Sequence, residues 1–177
     1  MRVEDCMWDA ELGRDAEGEV AIVHVPEGQK VDVTDPCYDA DTWCRMQVEL
    51  PAGDYTAFIV RKDCGSWGTR VQSSGICLKK YIDHCSLLNF HQVGPVGVDA
   101  GMMGYFVNKP DYSDDEWSKF CDELGAADWP DECVKDGGYI TSSGYGDGVY
   151  PVYLMKVDGV TVGVMVVFIE EDEEEDE

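Results

Sequence analysis

Three stretches of the chain concentrate side chains able to bind or react. The first, Thr34-Asp35-Pro36-Cys37-Tyr38-Asp39-Ala40-Asp41-Thr42-Trp43, spaces three carboxylates four and two residues apart, with a thiol and a phenol among them. Carboxylates this close supply oxygen ligands for a hard cation, so a divalent ion is a candidate cofactor. The stretch is not an EF-hand loop: the glycine is missing, and Trp43 stands where Asp or Asn belongs. An Asx turn whose aspartates cap backbone N–H groups accounts for the same letters. The second stretch, Val98-Asp99-Ala100-Gly101, follows Gly94 and Gly97, and offers Asp99 as a ligand or general base where the backbone bends tightly; turn chemistry alone explains it equally. The third, Ser142-Ser143-Gly144-Tyr145-Gly146-Asp147-Gly148, has the glycine density of loops that approach a ligand with main-chain N–H groups. It lacks the lysine and following helix of a P-loop, and it leads into a strand, unlike a dinucleotide fingerprint.

His24, His84 and His91 with eight cysteines could furnish a Cys–His nucleophile pair, with Cys37 or Cys85 as the thiol. No spacing selects a pair, and His24 lies inside a strand pattern, as a packed or edge residue does. Cys77, His84, Cys85 and His91 match no familiar zinc spacing, and no C-x-x-C is present. The cysteines read as reduced thiols acting as small buried hydrophobes.

The elements that must carry these loops are mostly strands. Residues 19–25 form a β-branched apolar run ending at Pro26-Glu27-Gly28, and Val31-Asp32-Val33-Thr34 alternates up to Asp35-Pro36. Residues 46–50 and 55–61 flank Pro51-Ala52-Gly53-Asp54 and predict a hairpin. Residues 69–79 predict a strand, while 81–92 have no clean period. Ser113-Asp114-Asp115-Glu116 is a capping box that starts a helix over 113–125, with Tyr112 and Trp117 as a hydrophobic staple and Gly125 placed to end it. Residues 149–157 and 160–169 predict a hairpin about Asp158-Gly159, a type I′ loop. Its register sets Val157 against Val160, Met155 against Val162, Tyr153 against Val164 and Pro151 against Val166, and Pro151 implies an edge or a strand start. The fold class is α+β, β-rich: mostly antiparallel sheet with one clear helix. A single domain over 1–169 is expected, followed by a disordered acidic tail at 170–177.

The 177 residues are 44% hydrophobic and 11% aromatic, enough for a sizeable core, which excludes global disorder. Against 13 Lys and Arg stand 37 Asp and Glu, a net charge of −24, to which the last eight residues contribute eight. Such a chain lacks the basic footprint that phosphate backbones and anionic membranes require, so neither nucleic acid nor membrane is an expected partner. A basic protein is. No basic-then-apolar leader and no membrane-length apolar run is visible, which predicts a soluble cytoplasmic protein.

The set Asp35-Pro36-Cys37-Tyr38, Trp67-Gly68, Val98-Asp99-Ala100-Gly101 and Ser143-Gly144-Tyr145-Gly146-Asp147-Gly148-Val149-Tyr150, with Tyr153, resembles a family of small domains of unknown function in bacteria and their phages, over residues 31–169. Family members often carry Gln where this chain has Met102. The resemblance implies a β-rich intracellular domain with a role on mobile elements or in host interaction, and no reaction.

Three functions remain. In one, Asp35, Cys37, Tyr38, Trp67, Asp99, Gly101, Ser143, Gly144, Gly146, Asp147 and Tyr150 converge to hold a small ligand, cation or peptide. In another, the protein works through negative charge, as a phage-encoded anti-defence inhibitor or nucleic-acid mimic acting on a host factor. In the third it is a metal-dependent hydrolase using Asp35, Asp99 and Asp147. Binding or interaction is the preferred reading.

Overall fold

A computed structural model describes residues 9–170. The expected acidic tail lies outside these residues apart from Glu170, as does Cys6. Twelve strands form two antiparallel sheets. The first contains β1 (Glu11–Leu12), β2 (Ile22–Val25), β5 (Gly53–Asp63), β6 (Thr69–Leu78), β7 (Asn89–Val98), β11 (Gly148–Val157) and β12 (Val160–Val167). Its order is β1-β5-β6-β12-β11-β7, and β2 extends the β1 edge by pairing further along β5. The second contains β3 (Lys30–Thr34), β4 (Arg45–Glu49), β8 (Met102–Val107), β9 (Glu132–Lys135) and β10 (Gly138–Ser142), in the order β4-β3-β8-β10-β9.

The sheets pack face to face. Val31, Val33, Met103, Tyr105 and Tyr139 of the second meet Tyr55, Ile59, Ile76, Val152 and Val164 of the first in one buried cluster. Inside it, Ser74 Oγ bonds Tyr105 Oη at 3.0 Å and Thr141 Oγ1 at 2.8 Å, so these buried hydroxyls are satisfied across the sheets. The outer face of the first sheet carries a second cluster around Phe58, Met155 and Met165, covered by residues near 81–90. The outer face of the second is covered by α1 (Asp114–Ala126), whose Phe120 and Leu124 bury against Phe106 and Ile140. Because both faces of both sheets are covered in places, several strands are apolar on both sides and lose the simple alternation of a one-sided sheet.

The capping box forms as the sequence predicts: Ser113 Oγ accepts from Glu116 N, and Glu116 Oε2 accepts from Ser113 N at 2.8 Å. Tyr112 and Trp117 stack with centroids 6.5 Å apart. Gly125 does not end the helix. The turn out of α1 falls instead at Asp128 and Trp129, both at positive φ, and the open space at Gly125 receives the Trp129 ring.

The hairpin predicted over 46–50 and 55–61 is absent. β4 pairs with β3, whereas both edges of β5 are occupied, by β6 on one side and by β1 and β2 on the other. Residues 55–60 are buried without a break, which marks β5 as an interior strand with no edge left for β4.

The C-terminal hairpin is present, with Asp158 at φ 49° and Gly159 at φ 78°, as a I′ loop requires. Its register holds for Val157↔Val160 and Lys156↔Thr161, then slips by one residue. Val162 is the extra residue of a bulge, so Tyr153 faces Met165 and Val152 faces Val166. Pro151 lies near the start of β11, opposite Pro95 of β7, before two-sided pairing begins at Val152. Among the described residues, no helix is long and apolar enough to cross a membrane.

Candidate functional site

Antiparallel pairing brings five connections to one end of the sandwich: residues 35–44, 64–68, 99–101, 127–131 and 143–147. All three sequence-predicted loops are therefore neighbours, and hydrogen bonds staple them together.

Asp35 is the principal staple. It has no solvent exposure. Its Oδ1 accepts Cys37 N at 3.0 Å, the Asx turn, while its Oδ2 accepts Asp99 N at 2.8 Å and Ala100 N at 2.7 Å. Burial pushes this carboxyl above its ordinary value, against the three N–H donors that pull it down. Both oxygens serve the backbone of two loops, which gives Asp35 a structural role in place of the metal ligand or base considered from sequence. Tyr38 donates to Asp99 Oδ2, a second tie between the same loops, and this bond holds the phenol up at about 12. A third tie is Gly97 N to Trp43 O at 3.0 Å. Trp43 lies flat over Gly97, where a Cβ would stand 1.9 Å from the indole ring, so only glycine admits this contact.

The glycine-rich loop joins through Ser143 N, which donates to Gly101 O at 3.2 Å. Internally, Ser143 Oγ donates to Gly146 O at 2.7 Å and Tyr150 Oη to the same carbonyl at 2.6 Å. Asp147 helps raise the Cys44 thiol, which burial above all sets at about 12. The turn carrying Trp67 meets this loop where Trp67 contacts Tyr145 edge-on at 6.4 Å, and Arg70 lies 5.8 Å over the Tyr145 ring while donating to Trp67 O. The connection after α1 is tied in by Ser142 N to Asp131 O at 2.9 Å.

Four exposed aromatic residues lie on connections at this end. Trp43 is 60% exposed, Trp67 67%, Trp129 59% and Tyr145 58%, and no other Trp, Tyr or Phe is among the exposed large hydrophobic residues described. Trp129 also holds φ 50°, a rare conformation for a bulky side chain, and with Leu124 it borders a small pocket of about 100 Å³ that also takes in Ala100, Met102 and Asp131. Carboxylates of Asp39, Asp41, Asp99, Asp128 and Asp147 lie on these same connections, and Asp63 ends β5 beside the 64–68 turn.

Sequence reading missed Trp43 as a surface residue and missed Trp129 and Tyr145. A tryptophan outside any periodic pattern, in a loop rich in Asp, Gly or Pro, is the signal that would have found them. It also missed a charged cluster under the 108–112 connection. There Asp32 accepts from Arg45 Nη2 at 2.9 Å and from Gln47 Nε2 at 3.0 Å, and buried Lys109 donates to Pro110 O.

Burial raises the thiols of Cys37 and Cys121, and sets Cys77 at about 12 and Cys133 at about 11, opposite to the lowered value of a nucleophilic cysteine. The seven described cysteines are free thiols. His24 is exposed on β2 and bonds Asp54 at 2.6 Å. Among the described residues, no three of His, Cys, Asp and Glu stand in an arrangement that could hold a metal, the Cys77, His84, Cys85 and His91 set included. No family model matches the chain, and no curated protein or solved structure matches it significantly.

Proposed function

We propose that this protein is a non-catalytic interaction module that binds a positively charged protein surface through its loop end. One observation carries the reading: three tryptophans and a tyrosine stand exposed on connections at one end of the sandwich, Trp67 in contact with Tyr145, in a chain of net charge −24. Large exposed rings gathered at one place are the usual anchors of a binding surface, and a stapled surface avoids the ordering cost of a floppy one. Aromatic faces beside carboxylates select guanidinium and ammonium groups, by cation–π contact and by charge. Arg70 over Tyr145 is that contact made within the molecule itself.

In the form suggested by the family resemblance, the partner is a host nucleic-acid-binding protein whose basic groove the acidic surface occupies. The test is native mass spectrometry of the protein purified gently at low salt, alongside a variant carrying Trp43→Ala, Trp67→Ala and Tyr145→Ala. A basic partner should be retained by the unaltered chain, lost from the variant, and released near 1 M salt, where the screening length falls to about 3 Å. A partner held equally by the variant, or insensitive to salt, overturns the reading.

A further inference from the structure

The two sheets leave a cleft of about 460 Å³ on the side of the sandwich where β4 and β7 are the terminal strands. Four consecutive residues of β4, 46–49, form one wall, and Val93, Leu154 and Thr161 face them from the first sheet. A wall made of consecutive strand residues is a strand edge, and the hydrogen-bond pattern shows which groups line it. Asp35 N donates to Cys44 O at 2.8 Å, so positions 35 and 44 form a hydrogen-bonded pair. In the regular register that follows, Val33↔Met46 and Val31↔Val48 are hydrogen-bonded pairs by alternation. Gln47 and Glu49 then direct their N–H and C=O groups away from β3, along an edge that no strand among the described residues pairs with.

Other terminal strands are blunted. β7 carries a bulge at Val93, Gly94 at φ 145° and Pro95, while β9 has only four residues. β4 keeps five unbroken pairs, contains no proline, and has its Arg45 drawn inward to Asp32. An open, regular edge beside a cleft whose walls mix apolar Met46, Val48, Val93 and Leu154 with polar Gln47, Glu49 and Thr161 is the geometry that receives an added strand. The bulge on β7 also aims Val93 into that cleft.

We propose that the outer edge of β4 is a docking site for an extended segment of a partner protein, which joins the second sheet as a sixth strand and alternates apolar and basic residues. Apolar side chains of the segment fall on the face shared by Met46 and Val48 and fill the cleft against Val93 and Leu154. Those between them fall on the face of Gln47 and Glu49, where the Glu49 carboxylate is 86% exposed, with Lys30 Nζ held no closer than 4.0 Å, and where the molecule's net charge of −24 favours Lys or Arg. This goes beyond the loop-end reading and shares with it only the preference for a basic partner.

The test uses an acetylated, amidated peptide of four Lys-Val repeats and the same peptide N-methylated at alternate backbone nitrogens, in each of the two registers, titrated into the full-length protein labelled with ¹⁵N. The unmethylated peptide is expected to shift the Gln47 and Glu49 amides and slow their hydrogen exchange. Methylation in the register facing β4 should weaken binding about tenfold or more, the equivalent of about two lost hydrogen bonds, although charge is unchanged. Gln47→Pro, which removes an outward donor, keeps the β3 pairs and also loses the Gln47 Nε2 bond to Asp32, should have the same effect while binding of an arginine peptide at the loop end persists, whereas Gln47→Ala, which loses only the side-chain bond, should bind the peptide as the unaltered protein does. Equal binding of all the peptides, shifts confined to the loop end, or Gln47 and Glu49 shifts that follow protein concentration without peptide, the mark of a second copy on this edge, would each overturn the proposal.

Discussion

The two ends of the sandwich solve the same problem of reversing the chain in different ways. At one end most reversals are short and local: Gly28, Asn108, Asp136-Gly137 and Asp158-Gly159 take positive φ and turn the backbone within a few residues, and the long 79–88 connection there folds back over the outer face of the first sheet. None of the residues exposed there is a large aromatic. At the other end the connections are held by one another, through Asp35, Tyr38, Ser143 and the Trp43 carbonyl, and they carry four exposed rings. Local turns stabilise the fold at little cost. Connections that must be stapled, and tryptophans left in water, cost stability, and that cost marks the end where binding is expected.

The largest effect that would break this contrast is at Asp35. Asp35→Ala leaves three part-buried N–H groups without their carboxylate acceptor, and should destabilise the fold by about 3 kcal/mol or more in chemical denaturation. Asp35→Asn keeps one acceptor oxygen and should lose less. A loss below about 1 kcal/mol for the alanine variant would mean that the loops hold together without this residue.

Next come the exposed rings. Trp43→Ala and Trp67→Ala should each weaken binding of a basic partner by about 2 kcal/mol, roughly thirtyfold, while changing stability by under about 0.5 kcal/mol. At the opposite end the pattern reverses: Gly159→Val places a β-branched residue at φ 78° and should cost about 1 kcal/mol of stability or more, with affinity unchanged.

Tyr38 gives the smallest and most local test. Its hydrogen bond to Asp99 raises the phenol to about 12, so the contact persists through neutral pH. A raised value in the folded state means that any stabilisation is fully present below the unfolded value of about 10 and is lost as pH climbs through 12. Ultraviolet titration of the phenol should show Asp99→Asn bringing it back towards 10, and an unchanged titration would remove this tie from the account.

Where the sequence was legible, the signal was local. The capping box at Ser113 and the Asp158-Gly159 turn each specify their geometry within four residues, and the β-rich class follows from short apolar runs between turn signals. The Asx turn at Asp35 was legible for the same reason, because its acceptor and donor are two residues apart. What failed depended on distant partners. Pro51-Ala52-Gly53-Asp54 reads as a hairpin turn, but whether β4 pairs with β5 is decided by β1, β2 and β6 already holding both edges of β5. The Val162 bulge leaves no composition cue, since valine fits either register. The convergence of the loops was hypothesised from glycine and aspartate content, yet the bonds that create it join residues distant in the chain, 61 and 64 positions apart for the Tyr38–Asp99 and Asp99–Asp35 bonds.

The most direct test of the central claim follows the indole N–H signals of the ¹⁵N-labelled protein as an eight-residue arginine peptide is added. The account predicts that Trp43, Trp67 and Trp129 shift saturably, that Trp117 on the packed face of α1 stays in place, and that the shifts vanish as salt rises. A peptide that leaves the three exposed indoles unmoved, or that moves Trp117 equally, would contradict it.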